Sequence, residues 1–223
     1  MPASINQPLP IAATPLARPE PSFILEATRQ LVVSETLRVF GGRVDLALVG
    51  DSITGNWRWQ PAMARLEAGR KVLNCGLGGD TTRNLLWRLD QGLLRGVQVS
   101  AISILIGLNN CWDEPAADEV VAGVRACALR IREEQPLAKI RLHALLPLRG
   151  GHKRWEPLTR AINEGLPAIA AEVGADFRDI GSLLRDETGE VPERLMPDGG
   201  HPAADAYERW ADDLLAWLGP PVS

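Results

Sequence analysis

Beyond about residue 40 the chain alternates between two kinds of stretch. "VDLALV" (44–49), "KVLNC" (71–75), "AISILI" (101–106) and "IRLHALL" (140–146) are short, mostly apolar runs rich in Val, Ile and Leu, the pattern of strands covered on both faces. Between them apolar residues recur at helical spacing: one segment follows Ser52, one lies near 82–90, one runs from about Pro115 to Glu134, and one lies near 155–173. Repeated strand–helix units at this spacing predict an α/β fold with a mostly parallel sheet and helices on both faces. A weaker run, "ADFRDI" (175–180), predicts an edge strand. Near the end Tyr207, Trp210, Leu214 and Trp217 fall on one helical face, and Pro202 suits a first helical turn, which puts His201 at that helix's N-terminus.

Residues 22–39 carry apolar positions at mixed helical spacing and predict a covering helix. The first 21 residues hold six prolines and no basic start, so they read as a loose Pro-rich arm and not as a secretion signal. Residues 22–223 then form a single domain, with no linker or repeat inside 40–218.

Composition narrows the partner. The 223 residues are 45% hydrophobic and 23% charged, an ordinary globular profile with enough chain for one core. A net charge of −4 and a pI near 5.5, with no Lys/Arg cluster, argue against a nucleic-acid surface and for a small-molecule partner. No apolar run approaches the length of a membrane span, and a cytoplasmic protein is expected. Cys75, Cys111 and Cys127 form neither a zinc pattern nor a disulfide framework, so no metal is expected; Cys127 shares helical register with Val120, Val124 and Ile131 and reads as core.

In a parallel α/β sheet the ligand site lies beyond the carboxyl ends of the strands, and four short segments fall there. Gly50-Asp51-Ser52 ends the first strand; a serine here can be a helix cap or a nucleophile. "NCGLGGDTTRNLLWRL" (74–89) leaves the second strand through glycines and enters a helix, where backbone N–H groups can meet an anion or merely make a tight turn. A dinucleotide fingerprint needs glycine at Thr81, and the P-loop lysine is absent. "ILIGLNN" (104–110) ends the third strand, and Asn109 can donate to an oxyanion or form an Asx-turn. "MPDGGHPAADAY" (196–207) sets Asp198 three residues before His201, the spacing of an imidazole and its orienting carboxylate, or of an exposed turn. His143 and His152 have no carboxylate so placed. Trp57, Trp59 and Trp112 lie near these segments and read first as packing, with an apolar or sugar-stacking surface as the functional reading.

The order Ser…Gly…Asn…Asp…His and its local sequences resemble the GDSL/SGNH hydrolase superfamily. "LNCGLGGDTTRNLLWRLDQG" followed by "ILIGLNN" is similar to the platelet-activating-factor acetylhydrolase catalytic-subunit branch, over roughly residues 40–218. The resemblance implies a three-layer αβα sandwich, flavodoxin-like, with five strands. It implies Ser52 as nucleophile, Asp198 and His201 completing a triad, and the Ser52 and Gly79 N–H groups with Asn109 as the oxyanion hole. Asp51 orients the turn on this reading, and Ile53, Leu108 and Gly200 flank the substrate with it. Leu108 and Gly200 depart from what relatives carry. The implied activity is hydrolysis of a short acyl, above all acetyl, ester of a lipid or sugar, with no cofactor, in a protein that pairs as a homodimer. An O-acetylesterase of carbohydrates is the neighbouring alternative, and a non-catalytic flavodoxin-like binding module the alternative from another class. A Cys111–His201 dyad is the rival to Ser52.

Overall fold

In the computed structural model, which describes residues 10–17, 33, 35, 36 and 39–221, five strands form one all-parallel sheet. They are β1 (Arg43–Gly50), β2 (Val72–Asn74), β3 (Gln98–Leu105), β4 (Lys139–His143) and β5 (Asp176–Arg178), ordered β2-β1-β3-β4-β5. The helices are α1 (Ser52–Gly55), α2 (Ala62–Glu67), α3 (Thr82–Asp90), α4 (Ala117–Glu134), α5 (Glu156–Glu172) and α6 (Ala204–Leu218). They pack in two groups, α3 with α4 and α4 with α5 in one, α2 with α6 in the other. Leu46, Ala47, Leu48 and Val49 on β1 and Ile102, Ile104 and Leu105 on β3 are buried throughout, as a sheet covered on both faces requires. The strand order reverses direction at β1 and β3, so the crevice beyond their carboxyl ends is the place such a fold offers a ligand.

The strands fall where the apolar runs predict, with one difference. "IRLHALL" leaves the ladder after His143, although Ala144–Leu146 stay buried. Beyond Arg178 the neighbouring strand has ended, and the Asn163 amide takes over both backbone groups of Leu145, at 2.7 and 2.9 Å. The segment after Ser52 is three pieces in place of one helix: α1, a 3₁₀ turn at Asn56–Trp59, and α2. Gln60, extended ahead of Pro61, makes the break. The last helix starts at Ala204 and not at Pro202. Ala203 is extended and its N–H donates to the Leu195 carbonyl at 2.8 Å, so His201 sits in the loop before the helix.

The helix expected over 22–39 lies largely outside the described residues; Val33, within it, is buried. The loose-arm reading of 1–21 fails for residues 10–17, which dock on α3 and α4. Ile11–Ala13 form a 3₁₀ turn with Ala12 and Ala13 buried. The Thr82 hydroxyl donates to the Ala12 carbonyl at 2.7 Å, the Leu16 N–H donates to the Arg83 carbonyl at 3.1 Å, and the Asn84 amide donates to the Leu16 carbonyl at 3.0 Å.

Gly123 makes that docking feasible. It lies inside α4, where glycine costs about 1 kcal/mol relative to alanine. A Cβ there would meet Thr82 Oγ1 at 2.4 Å and the Ala12 carbonyl oxygen at 2.5 Å. Helix propensity alone says Gly123→Ala stabilises; the contacts say it destabilises, by about 1–3 kcal/mol. Urea denaturation of the variant decides between them, and a raised midpoint would mean that the segment docks otherwise.

Candidate active site

The carboxyl end of β1 delivers Ser52. Gly50 is required by space: a Cβ there would lie 2.0 Å from the Leu105 carbonyl oxygen and 2.3 Å from Thr54 Oγ1. Asp51 caps α1, its Oδ1 accepting from the Ile53 N–H at 2.9 Å. Ser52 is then the first residue of the helix and stands half-buried at the rim. Beneath it Trp57 is buried against Tyr207 and Trp210, with ring centroids 4.9 and 5.2 Å away, and the Tyr207 hydroxyl donates to the Ile53 carbonyl at 2.6 Å.

The loop before α6 brings the imidazole across. Ser52 Oγ and His201 Nε2 are 2.9 Å apart, and His201 Nδ1 is 2.7 Å from Asp198 Oδ2. The other Asp198 oxygen accepts from the N–H groups of Gly200 and His201, at 2.9 and 2.7 Å. Partial burial pushes the Asp198 carboxyl up, but these two N–H groups and the imidazole together hold it below the usual range. An ionised Asp198 only accepts, so His201 Nδ1 carries a hydrogen, and in the neutral imidazole Nε2 accepts from the Ser52 hydroxyl. The loop is pinned from behind. Gly199, at φ 85°, takes the Arg149 N–H on its carbonyl at 2.9 Å, and a Cβ on it would strike the Arg149 carbonyl oxygen at 2.4 Å.

The loops after β2 and β3 form the opposite wall. The Leu77 N–H donates to the Gly50 carbonyl at 3.1 Å, and a Cβ on Gly78 would lie 3.8 Å from the Ser52 Cβ, so this turn borders the serine. Gly79 follows, exposed and at φ 77°. Asn109 Nδ2 donates to the Asp80 carbonyl at 2.9 Å, joining the β3 loop to the Gly79 loop. Ser52, His201 and Asp198 are thus joined by direct contacts, and the loops carrying Gly79 and Asn109 border the serine through Gly78 and Asp80.

Other expectations change. Asp51, Ile53 and Leu108 are buried, so they shape the rim from below in place of lining it for substrate, and Gly200 is likewise buried, its N–H spent on Asp198. Cys111 is buried, its Sγ 3.9 Å from the Gly107 carbonyl, and burial pushes its thiol up to about 11, which removes the thiolate that a dyad needs. The packing reading holds for Trp57, whereas Trp59 is 75% and Trp112 42% exposed. His143 lies inside the sheet, 2.9 Å from Ser103 Oγ, and burial, helped by the charges of Arg141 and Arg178, pushes it down to about 3. It stays a neutral structural group.

Sequence reasoning passed over the supports. Arg88 and Asp80 form a fully buried ion pair at 2.6 Å, and Arg88 also donates to the Cys75 carbonyl at 2.6 Å. Its signal was an arginine three residues after Leu85 on the apolar stripe of α3. Asn110 accepts from the Thr82 N–H at 3.0 Å and donates to the Thr82 hydroxyl at 3.1 Å, binding the β3 loop to the start of α3. Among the described residues no three His, Cys, Asp or Glu side chains gather as a metal would need, and no helix is long and apolar enough to cross a membrane.

Asp51 sets a pH dependence of stability. Burial raises its carboxyl from 3.8 to about 7, and the Asp51 Oδ2 has no hydrogen-bond partner. The folded protein therefore holds a proton that the unfolded chain releases between pH 4 and 7, so this group's contribution falls as pH rises through that window. The loss is on the order of a few kcal/mol. Asp51→Asn keeps an oxygen for the Ile53 N–H and should flatten the decline, leaving the variant more stable than wild type at pH 8. Chemical denaturation from pH 4 to 8 tests this; equal slopes would show that Asp51 is ionised throughout.

Residues 48–209 match the model of the GDSL-like lipase/acylhydrolase family. The chain is 39% identical over 103 residues to the platelet-activating factor acetylhydrolase IB subunit alpha2 of Homo sapiens, a match covering 46% of this chain and 44% of that relative's length. It is 32% identical to the corresponding human subunit alpha1 over 161 residues, covering 70% of this chain and 68% of the relative. Among solved structures, a GDSL-like lipase from Bacteroides thetaiotaomicron superposes with a TM-score of 0.69 at 16% identity, covering 86% of this chain and 98% of that one. Axe2, an acetyl xylan esterase from Geobacillus stearothermophilus, superposes with a TM-score of 0.63 at 21% identity, covering 81% and 96%. With its strand order, its rim of converging loops and a family match spanning most of its length, the chain belongs to the GDSL-like lipase/acylhydrolase family.

Proposed function

We propose that this protein is a serine-dependent carboxylic ester hydrolase that works through an acyl-enzyme. The observation that carries the reading is the continuous relay from Ser52 Oγ to His201 Nε2 at 2.9 Å and from His201 Nδ1 to Asp198 Oδ2 at 2.7 Å. Ser52 Oγ attacks the ester carbonyl carbon while Nε2 takes its proton, and Asp198 stabilises the imidazolium. The carbonyl oxygen becomes an oxyanion against the N–H groups of Ser52 and Gly79 and the Asn109 amide. As the intermediate collapses, His201 gives the proton to the departing alkoxide, leaving the acyl group on Ser52. Water, deprotonated by His201, then attacks the acyl carbon, and the carboxylic acid leaves as Ser52 is reprotonated. A non-catalytic binding module has no physical use for this relay.

The acyl group we assign is short, above all acetyl. Relatives named for acetyl-ester chemistry support it, the platelet-activating factor acetylhydrolase subunits on one side and an acetyl xylan esterase on the other. A carbohydrate O-acetyl ester is the second reading, favoured by the half-exposed indole of Trp112 beside Asn109, which offers a sugar ring a face to stack on. By family resemblance the chain works as a homodimer.

Hydrolysis of p-nitrophenyl acetate, butyrate and octanoate by wild type, Ser52→Ala and Asn109→Ala tests the proposal. Acetate turnover should dominate and vanish in Ser52→Ala. Asn109→Ala should lose about two to three orders of magnitude in kcat, the usual cost of one oxyanion donor. Equal turnover by wild type and Ser52→Ala would overturn the hydrolase reading, and an octanoate optimum would overturn the short acyl group. Acetylated xylan and an acetylated phospholipid, assayed in parallel, separate the two substrate classes.

A further inference from the structure

Asn109 is the member of the candidate site whose chemistry depends on which way a planar amide lies. With Nδ2 towards the reacting carbonyl it donates; turned over, it would present Oδ1 and repel the oxyanion. Two contacts of opposite kind decide. The Asp80 carbonyl can only accept, and Asn109 Nδ2 donates to it at 2.9 Å. The Trp112 indole N–H can only donate, and it meets Asn109 Oδ1 at 3.0 Å. Turning the amide over would set oxygen against oxygen at Asp80 and N–H against N–H at Trp112.

Local structure produces the pairing. Leu108–Asp113 is a 3₁₀ helix, in which side chains three residues apart eclipse one another, so Trp112 stands directly over Asn109. The indole is itself braced. Its ring meets Trp155 edge-on with centroids 4.1 Å apart and interplanar angle 85°, and lies 5.4 Å from the His152 ring. Trp155 is buried, His152 stacks on it at 5.6 Å, and the Arg154 guanidinium caps it at 3.8 Å. The same His152 packs 3.1 Å from the Cβ position of Gly199, so the cluster also abuts the loop that carries Asp198 and His201.

We infer that Trp112 is a positioning residue for the oxyanion hole: its indole N–H holds the Asn109 amide so that Nδ2, and not Oδ1, meets the developing oxyanion. This rests on the hydrolase reading above. Trp112 makes no bond to the reacting atoms, so loss of its N–H acts on kcat through Asn109, while a replacement that keeps an aromatic face leaves any stacking with substrate in place.

The test is a double-mutant cycle on p-nitrophenyl acetate, with Ser52→Ala as the reference for enzymatic turnover. Trp112→Phe, and site-specific replacement of Trp112 by benzothienylalanine, which exchanges the N–H for sulfur and keeps the bicyclic shape, should each lower kcat about tenfold with KM within twofold. On an Asn109→Ala background Trp112→Phe should change kcat less than twofold, because the group it positions is gone. Wild-type kcat in the benzothienylalanine protein overturns the inference, whether or not Trp112→Phe folds well. An undiminished effect on the Asn109→Ala background also overturns it, since Trp112 would then act by another route. If Ser52→Ala turns over ester like wild type, the hydrolase reading itself fails. If Ser52→Ala is inactive while the Trp112 proteins match wild type, only the positioning role fails.

Discussion

The docking of the C-terminal helix beneath the Ser52 turn is the constraint on which the rest of the site depends. Ser52 and His201 are 149 residues apart in the chain, and their contact at 2.9 Å survives only if α1 and the start of α6 keep their places. Tyr207 reaches one turn into α6 and bonds the Ile53 carbonyl, while Trp57 is wedged between Tyr207 and Trp210. These contacts are buried, so the hydrogen bond has no water to compete with it, and the rings cannot shift without opening a void. The aromatic wedge thereby fixes the relative position of Ser52 and His201.

The two walls of the site are built on different principles. The wall made by the loops after β2 and β3 hangs on buried polar contacts: the Arg88–Asp80 ion pair, the Arg88 bond to the Cys75 carbonyl, and the Asn110–Thr82 pair that continues to the Ala12 carbonyl. A buried pair of this kind adds little net stability, but breaking it strands a charge away from water, so the geometry it imposes is hard to leave. The wall that carries Asp198 and His201 is more open. The Asp198 and His201 side chains are 56% and 44% exposed, and backbone N–H groups aimed at one carboxylate oxygen hold the loop. Residues 10–17 pack on the side of the β2 and β3 loops, held by the Thr82 hydroxyl and the Asn84 amide.

The fold was legible because its signal is periodic. Buried parallel strands must be apolar on both faces, and four such runs with a weaker edge run, alternating with helical spacing, leave few other architectures open. The candidate site was legible because its residues lie in short motifs that follow strands or precede helices: Ser52 after β1, Gly79 after β2, Asn109 after β3, and Asp198 and His201 before α6. The supports were less so. Asp80 and Arg88 look like surface charges until α3 is seen to turn Arg88 inward, and Trp112 looks like any tryptophan until a 3₁₀ turn sets it over Asn109. Ile53 and Leu108 went the other way: flanking the motif in sequence, they point into the core.

The sequence by itself determined the parallel α/β architecture, the placing of the candidate site residues in short segments after strands and before the last helix, and the family, since those follow from hydrophobic period and short local motifs. Only the tertiary structure decided how the residues act together. Which histidine meets Ser52, which loop the Asn109 amide is tied to, whether Cys111 can ionise and whether residues 10–17 hang loose are questions about contacts between segments distant in the chain. Local propensity carries no information on such contacts, because burial and partner geometry, not residue type, set the charge and orientation of each group.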